Sequence, residues 1–186
     1  AGKFDGLQAT VAGQPLIVVS KHWAGDRQRF TLAHELGHLL LEGRLAPGLN
    51  EEKACNHFAS AFLLPAESVR EQIGTQRHSI EVRELYMLKH EYGLSMQACL
   101  YRLKALEIIS EGLFEKLIKR FSAAGWRKQE PGDQVPREST IMFEQLVFRA
   151  LAEGIVGESK AAELLKFPLM QFHQMRKLEA FDAVAN

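Results

Sequence analysis

The feature that most constrains this chain is the segment 30–41, which reads FTLAHELGHLLL. Its uninterrupted apolar positions predict a helix, and helical spacing places His34 and His38 one turn apart on the same face. Two imidazoles in that arrangement can bind one divalent cation, whereas Glu35 points away from both and can act as a general base on water. A single rigid helix therefore supplies two metal ligands and a base.

A hydrolytic zinc site needs a third protein ligand and one open coordination position. Glu52 is the predicted third ligand, because it lies near the start of a second predicted helix whose residues 52, 56, 59 and 63 would face the first. Glu51 is the alternative. Asn56, one turn after Glu52, is expected to hydrogen-bond a ligand histidine and to fix its ring orientation. Two imidazoles and a carboxylate also suit manganese or iron, so Zn²⁺ is preferred without excluding them.

Gly37 lies inside the first predicted helix, where glycine costs roughly 1 kcal/mol relative to alanine. A close approach of the second helix would explain it, since that helix offers small side chains at Ala54, Ala59 and Ala61. The two predicted helices are therefore expected to pack tightly at the site.

The chemistry expected of these residues is metal-assisted hydrolysis, in which Glu35 moves a proton from water to the leaving amine. A further donor should stabilise the oxyanion that forms during the reaction. Tyr86, His90, Tyr101 and Arg102 are all candidates for that donor, and the sequence prefers none of them.

A chance match has to be weighed against this interpretation, because HExxH arises in roughly one of every few hundred chains of this length. The context favours the metal site, since burying these polar groups on an apolar helix without a partner would be costly. Cys55 is interpreted as a buried thiol and not as a ligand. The other histidines are expected at the surface or beside the ligands, and these are His22, His57, His78, His90 and His173.

Composition excludes several classes of protein. Lys and Arg (23) balance Asp and Glu (23), so the chain has no overall electrostatic footprint for nucleic acid. Cys55 and Cys99 lie in apolar, helical-looking stretches and form no CxxC pair, so both are predicted to be reduced and buried. There is no apolar run long enough to span a membrane, and the first residues do not resemble a signal peptide. We therefore expect a cytoplasmic protein with no membrane partner.

The sequence pattern predicts an α+β fold that is mostly helical. Residues 7–19 are predicted to form a β-hairpin with its turn at Gly13-Gln14-Pro15, and Asp26 is predicted to cap a helix that ends near Leu41. Residues 125–140, polar with Pro and Gly, are expected to be a linker or extended loop. The other predicted helices are 50–65, 66–73, 80–91, 95–106, 111–122, 141–153 and 158–182.

The C-terminal element carries a second, weaker pattern. Residues 158–169 and the helix after them resemble a helix-turn-helix, but helical hairpins are more often packing elements, and only Gln171, Gln174 and Arg176 suit base reading. At the other end, the chain begins with Ala1 and enters strand-like sequence almost at once, so we expect an upstream region.

Residues 29–40 (RFTLAHELGHLL) and 52–65 (EKACNHFASAFLLP) resemble motifs of the ImmA/IrrE family of zinc metallopeptidases. The likeness extends over residues 4–125. Cys55 departs from it, since alanine is usual there, as does Phe62-Leu63-Leu64-Pro65, where methionine often precedes the proline. The resemblance implies a mostly helical zincin-like core with a small sheet, which we place at 1–124. The linker or extended loop at 125–140 and the helical element at 141–186, part of which resembles a helix-turn-helix, lie outside these motifs and are predicted from the sequence pattern alone.

By the same resemblance, Zn²⁺ is held by His34, His38 and Glu52, and Glu35 is the catalytic glutamate. Family members imply cytoplasmic residence and site-specific cleavage of a repressor or antitoxin-like DNA-binding protein. Many carry an N-terminal phage-repressor-like helix-turn-helix, so DNA binding is expected only through a region upstream of this chain.

Two hypotheses from different classes follow. The first is a regulatory zinc endopeptidase whose partner is a protein substrate, the repressor or antitoxin-like regulator. The second is a non-proteolytic, zinc-containing sensor or interaction module of a transcriptional regulator. The sequence leaves the oligomeric state open, a homo-oligomer included.

Overall fold

The computed structural model describes residues 4–178, which fall into two compact units divided between Glu138 and Ser139. The fold is α+β and mostly helical, as predicted. The first unit contains β1 (Gly6–Val11), β2 (Gln14–Val19), α1 (Gly25–Leu41), α2 (Glu51–Leu63), α3 (Ala66–Ile73), α4 (Val82–Tyr92), α5 (Met96–Ala105) and α6 (Glu111–Ala123). The second unit contains α7 (Met142–Ala152), α8 (Glu158–Leu165) and α9 (Leu169–Arg176).

The two strands form an antiparallel hairpin that packs on α1. Their register runs from Gly6 opposite Val19 to Val11 opposite Gln14. The predicted turn at Gly13-Gln14-Pro15 is wrong, because the turn consists of Ala12 and Gly13, with φ of 50° and 79°. A two-residue hairpin needs positive φ at both turn positions, so the strand resumes at Gln14.

Helix α1 begins at Gly25 with Ala24 as its N-cap, so the prediction that Asp26 caps this helix is wrong. The Gly25 amide donates to the Val135 carbonyl at 3.0 Å. A Cβ on Gly25 would lie 1.9 Å from the Pro136 carbonyl oxygen, so only glycine fits there. Asp26 lies instead in the first turn, where a carboxylate is favoured by the helix dipole.

The close approach of α1 and α2 at Gly37 is confirmed. A Cβ on Gly37 would lie 3.1 Å from a ring carbon of Phe58 and 3.3 Å from Cα of Cys55. The nearest atoms therefore belong to Cys55 and Phe58, and not to the alanines that we predicted. A larger residue at this position would require Phe58 or Cys55 of α2 to shift.

Three charged side chains in the first unit are buried together, and we call them the buried charge cluster: Lys89, Asp26 and Glu130. Lys89 Nζ lies 3.0 Å from Glu130 Oε2 and 3.5 Å from Asp26 Oδ2. The Glu130 carboxylate also accepts hydrogen bonds from the Met96 and Gln97 amides at the start of α5. The stretch 124–141 has no helix or strand, and the cluster fixes part of it to the first unit.

The second unit has a small core of its own, made of Val147, Ala161, Ala162 and Phe172. The predicted helix 158–182 is interrupted after Leu165, since Lys166 has a φ of 60° and α9 starts only after Pro168. Proline disfavours helical geometry in the residue before it, which explains the break. Helix α9 ends at Arg176. Residues 179–182 of the predicted helix lie outside the residues that the structure describes.

Among residues 4–178, no helix combines the length and the apolar character needed to cross a bilayer.

Candidate metal centre

Three side chains from two helices meet at one point, and we call them the candidate metal centre: His34 and His38 of α1 and Glu52 of α2. The two imidazole Nε2 atoms are 3.1 Å apart. Glu52 Oε2 lies 3.3 Å from His34 Nε2, and Glu52 Oε1 lies 3.4 Å from His38 Nε2. Each imidazole Nε2 atom thus faces a different oxygen of the same carboxylate, and the three contacts are of similar length.

The lengths of these three contacts test whether zinc fits. Tetrahedral zinc with bonds of about 2.0–2.1 Å to nitrogen and oxygen separates its ligand atoms by roughly 3.3 Å. The separation of the two Nε2 atoms and the distance from each of them to its nearer Glu52 oxygen, 3.1–3.4 Å, are close to this value. Two imidazoles and one carboxylate are also a donor set that catalytic zinc sites use.

The far side of each imidazole is held by a residue of α2. His34 Nδ1 is 3.1 Å from Asn56 Oδ1, and His38 Nδ1 is 2.9 Å from Glu51 Oε1. When each Nδ1–H donates to its oxygen, the lone pair of each Nε2 is left free for a metal. Asn56 therefore lies where the sequence placed it, whereas Glu51 contacts the outer nitrogen of His38.

Helix α2 can deliver these side chains because its start is fixed. The Asn50 side chain accepts a hydrogen bond from the Lys53 amide at 2.8 Å, which satisfies one of the free amides of the first turn. Glu51 and Glu52 follow directly in that turn, where the helix dipole favours carboxylates. Local sequence thus places two acidic side chains beside the histidines of α1.

The centre is open on one side. The imidazole side chains are only 16% exposed, whereas the Glu52 side chain is 67% exposed. Glu35 is half-buried, on the same helix as the two histidines. Glu52 is therefore the ligand side chain most accessible to solvent.

Cys55 lies near the centre, within 4.8 Å of ligand atoms of His38 and Glu51. Burial raises the pKa of its thiol, and the carboxylates of Glu51, Glu52 and Glu35 raise it further. Both effects disfavour the thiolate that a metal would need. Its position is consistent with the predicted role as a small buried side chain.

The model of the peptidase M78 family, described as the IrrE N-terminal-like domain, matches residues 1–104. The chain belongs to this family. No curated protein and no solved structure gave a significant match.

The match to the peptidase M78 family covers α1 and α2, and with them every residue of the candidate metal centre. It ends within α5, so α6 and the second unit lie outside it. The fold-class prediction and the predicted family are both confirmed, and the chain carries the metallopeptidase-like domain of that family.

Of the four candidates for an oxyanion donor in this peptidase-family chain, Arg102 and Tyr86 have partners elsewhere. Arg102 Nε donates to the Leu64 carbonyl at 2.9 Å, and the Tyr86 hydroxyl lies 3.3 Å from Asp133 Oδ2. The His90 ring packs on Tyr86. Tyr101 lines a cavity that Asn56 also lines.

Sequence reasoning missed the contact between Glu51 and His38. Adjacent residues on a helix project about 100° apart, so Glu51 and Glu52 are not expected to contact the same imidazole. The sequence therefore offers Glu51 only as an alternative to Glu52 as the third metal ligand. The two neighbours in fact contact the same imidazole on its two nitrogens. The signal available was the pair of acidic residues at the start of α2.

Proposed function

We propose that this chain is a zinc-dependent endopeptidase that acts in regulation by cleaving a cytosolic repressor or antitoxin-like DNA-binding protein. The observation that carries the proposal is the convergence of two imidazole Nε2 atoms and one carboxylate, with contacts of 3.1–3.4 Å, on two helices of a peptidase-family chain. A purely structural metal site would not require the open side that the exposed Glu52 gives this one.

In the proposed reaction His34, His38 and Glu52 hold the metal. When bound, zinc would act as a Lewis acid that polarises the scissile carbonyl and lowers the pKa of a water molecule to about 7. Glu35 accepts a proton from the attacking water while the oxygen of that water bonds to the carbonyl carbon. The C–N bond then breaks, and Glu35 returns the proton to the leaving amine.

Two contacts prepare the imidazoles for this role. Asn56 and Glu51 orient His34 and His38 before any metal arrives, because each holds an Nδ1 atom. A preorganised site loses less free energy to side-chain ordering when the metal binds. The substrate class is supported by the resemblance of the α1 and α2 motifs to ImmA/IrrE peptidases and by the open face of the centre.

The experiment compares new protein termini in cells that express the wild-type chain or the Glu35→Gln variant. Labelling of N-terminal amines and mass spectrometry should find a new terminus inside a repressor or antitoxin-like protein with the wild type only. Glu42→Gln, a change at the exposed C-cap of α1, is the matched control and should behave as wild type.

Identical termini in wild-type and Glu35→Gln cells, with zinc bound in both, would refute proteolysis. The chain would then be better described as a non-proteolytic zinc-containing sensor or interaction module.

A further inference from the structure

A cavity of about 910 Å³ lies within the first unit beside the candidate metal centre. Residues of α1, α2 and α5 and of the segment 126–134 form its walls. Asn56 lines the cavity, and the same side chain contacts His34 Nδ1. The volume is near the upper end of the roughly 300–1,000 Å³ found for ligand pockets, so it exceeds the need of one side chain.

The walls of this cavity are rich in aromatic rings. Trp23 and Phe30 line it from the α1 side, Tyr101 from α5 and Trp126 from the turn after α6. Aromatic side chains offer large apolar contact areas with little loss of conformational entropy on binding. The cavity is therefore suited to a bulky aromatic or aliphatic group.

The charges around the cavity favour an acidic ligand. Lys53, Arg127 and Lys128 line it and are exposed, and none forms an ion pair with another residue in the part of the chain that the structure describes. The acidic lining residues, Asp26 and Glu130, are buried and face Lys89. The unpaired charges are thus positive and come from two elements, α2 and the turn after α6.

We propose that this cavity binds the part of the protein substrate beside the scissile bond, and that it selects a bulky apolar side chain flanked by acidic residues. The aromatic walls bind the apolar side chain, and Lys53, Arg127 and Lys128 attract the acidic neighbours. This inference rests on the proposed function, because it takes the ligand to be a segment of the same peptide that the candidate metal centre would cleave.

The chain carries its own probe for this cavity. It contains two tryptophans, and both line the cavity, so their fluorescence reports its occupancy. The full chain with Glu35→Gln is loaded with zinc and titrated with a ten-residue peptide that carries phenylalanine between glutamates. Two comparison peptides replace the glutamates by lysine or the phenylalanine by alanine.

The acidic aromatic peptide should shift the tryptophan emission and reach saturation, and each comparison peptide should bind at least about tenfold more weakly. Arg127→Glu with Lys128→Glu should weaken the acidic peptide by a similar factor. The matched control, Lys116→Glu with Lys119→Glu on the exposed side of α6, should leave its binding unchanged. Equal binding of the three peptides, or no binding of any, would overturn the inference.

The two proposals can fail separately. New termini that depend on Glu35 but show no acidic or aromatic preference would leave the peptidase standing and refute the selectivity of the cavity. Saturable binding of the acidic aromatic peptide without Glu35-dependent cleavage would refute the peptidase and keep a peptide-binding site. Tighter binding of a small aromatic acid, such as indole-3-acetate, than of the peptide would overturn the peptide as occupant.

Discussion

The buried charge cluster and the candidate metal centre both gather acidic and basic groups in the first unit, but they balance charge in different ways. In the buried charge cluster the cation is Lys89, whose side chain is fully buried between two carboxylates. In the candidate metal centre no lysine or arginine of the described chain forms an ion pair with Glu51 or Glu52. Imidazole and carboxylate atoms point at one another there instead.

This difference separates a cluster that the chain completes by itself from one that, under the proposed function, an external cation would complete. Breaking a buried pair leaves a charge without a partner and is strongly destabilising. Ligand atoms brought together at the surface cost less to hold, and they become strongly stabilising only when a metal binds the folded state. The first cluster should therefore determine folding and the second should determine metal binding.

The largest effect on folding is expected from Lys89→Met, which leaves Asp26 and Glu130 buried without a cation. We expect a loss of about 3–5 kcal/mol in the free energy of unfolding. Urea unfolding followed by tryptophan fluorescence measures it, since both tryptophans belong to the first unit. Adding Asp26→Asn should recover part of the loss.

The matched control for this change is Lys119→Met, which removes the exposed ion pair of Lys119 with Glu115. It should cost less than about 1 kcal/mol, as surface pairs do. A loss of similar size for the two lysines would remove the distinction between a buried cluster and a surface pair.

The orienting contacts of the imidazoles should matter for metal affinity and little for folding. Asn56→Ala and Glu51→Gln are each expected to weaken zinc binding about 10- to 100-fold, because residues that hold the outer nitrogen of a ligand histidine have effects of this size. Competition with a chromogenic zinc chelator measures the change. His57→Ala, beside Asn56, serves as control, and an equal effect there would contradict the assignment.

A smaller effect on stability is expected from the residue that caps the start of α2. Asn50→Ala removes the side-chain acceptor for the Lys53 amide and should cost about 1 kcal/mol of stability. Asn50→Ser keeps an acceptor and should lose much less. If thermal unfolding shows no difference between the two variants, the cap does not fix the start of this helix.

The smallest effect concerns Glu84, a carboxyl that is more exposed than those of the buried charge cluster and less exposed than Glu52. Burial would raise its pKa, but hydrogen bonds from Arg77 and the Glu81 amide, together with the charge of Arg77, lower the pKa overall. Because the pKa of Glu84 is lower in the folded state, its interaction with Arg77 stabilises the protein at any pH above the unfolded-state pKa. This stabilisation is lost as pH falls through the folded-state pKa. Glu84→Gln should therefore lose less than about 1 kcal/mol at neutral pH and nothing in strong acid.

Local patterns predicted the parts of the molecule that depend on neighbours in sequence. The spacing of His34 and His38 and the limits of α3 follow from helical periodicity and from Pro65 and Gly74 beside it. The start of α1 could not be predicted, because Gly25 is held by Val135, far along the chain. Glu130, which accepts from the first amides of α5, is likewise a contact that no local pattern contains.

The candidate metal centre also depends partly on packing that no local sequence pattern contains. The helix carrying His34 and His38 follows from the sequence, and so does a second helix starting near Asn50. The rotation of α2 about its axis decides whether Glu51 or Glu52 approaches both Nε2 atoms. That rotation depends on how Cys55 and Phe58 pack against Gly37, which only the folded structure shows.

We propose that two imidazoles and one carboxylate hold a single zinc ion at the candidate metal centre. Elemental analysis of the purified full chain, after dialysis against limiting zinc, measures how many zinc ions each chain holds. One zinc per chain is expected in the wild type and in His57→Ala, and none in His34→Ala, with the secondary structure unchanged by circular dichroism. Retention of zinc by a folded His34→Ala variant, or its absence from the folded wild type, would show that these three side chains do not hold the metal.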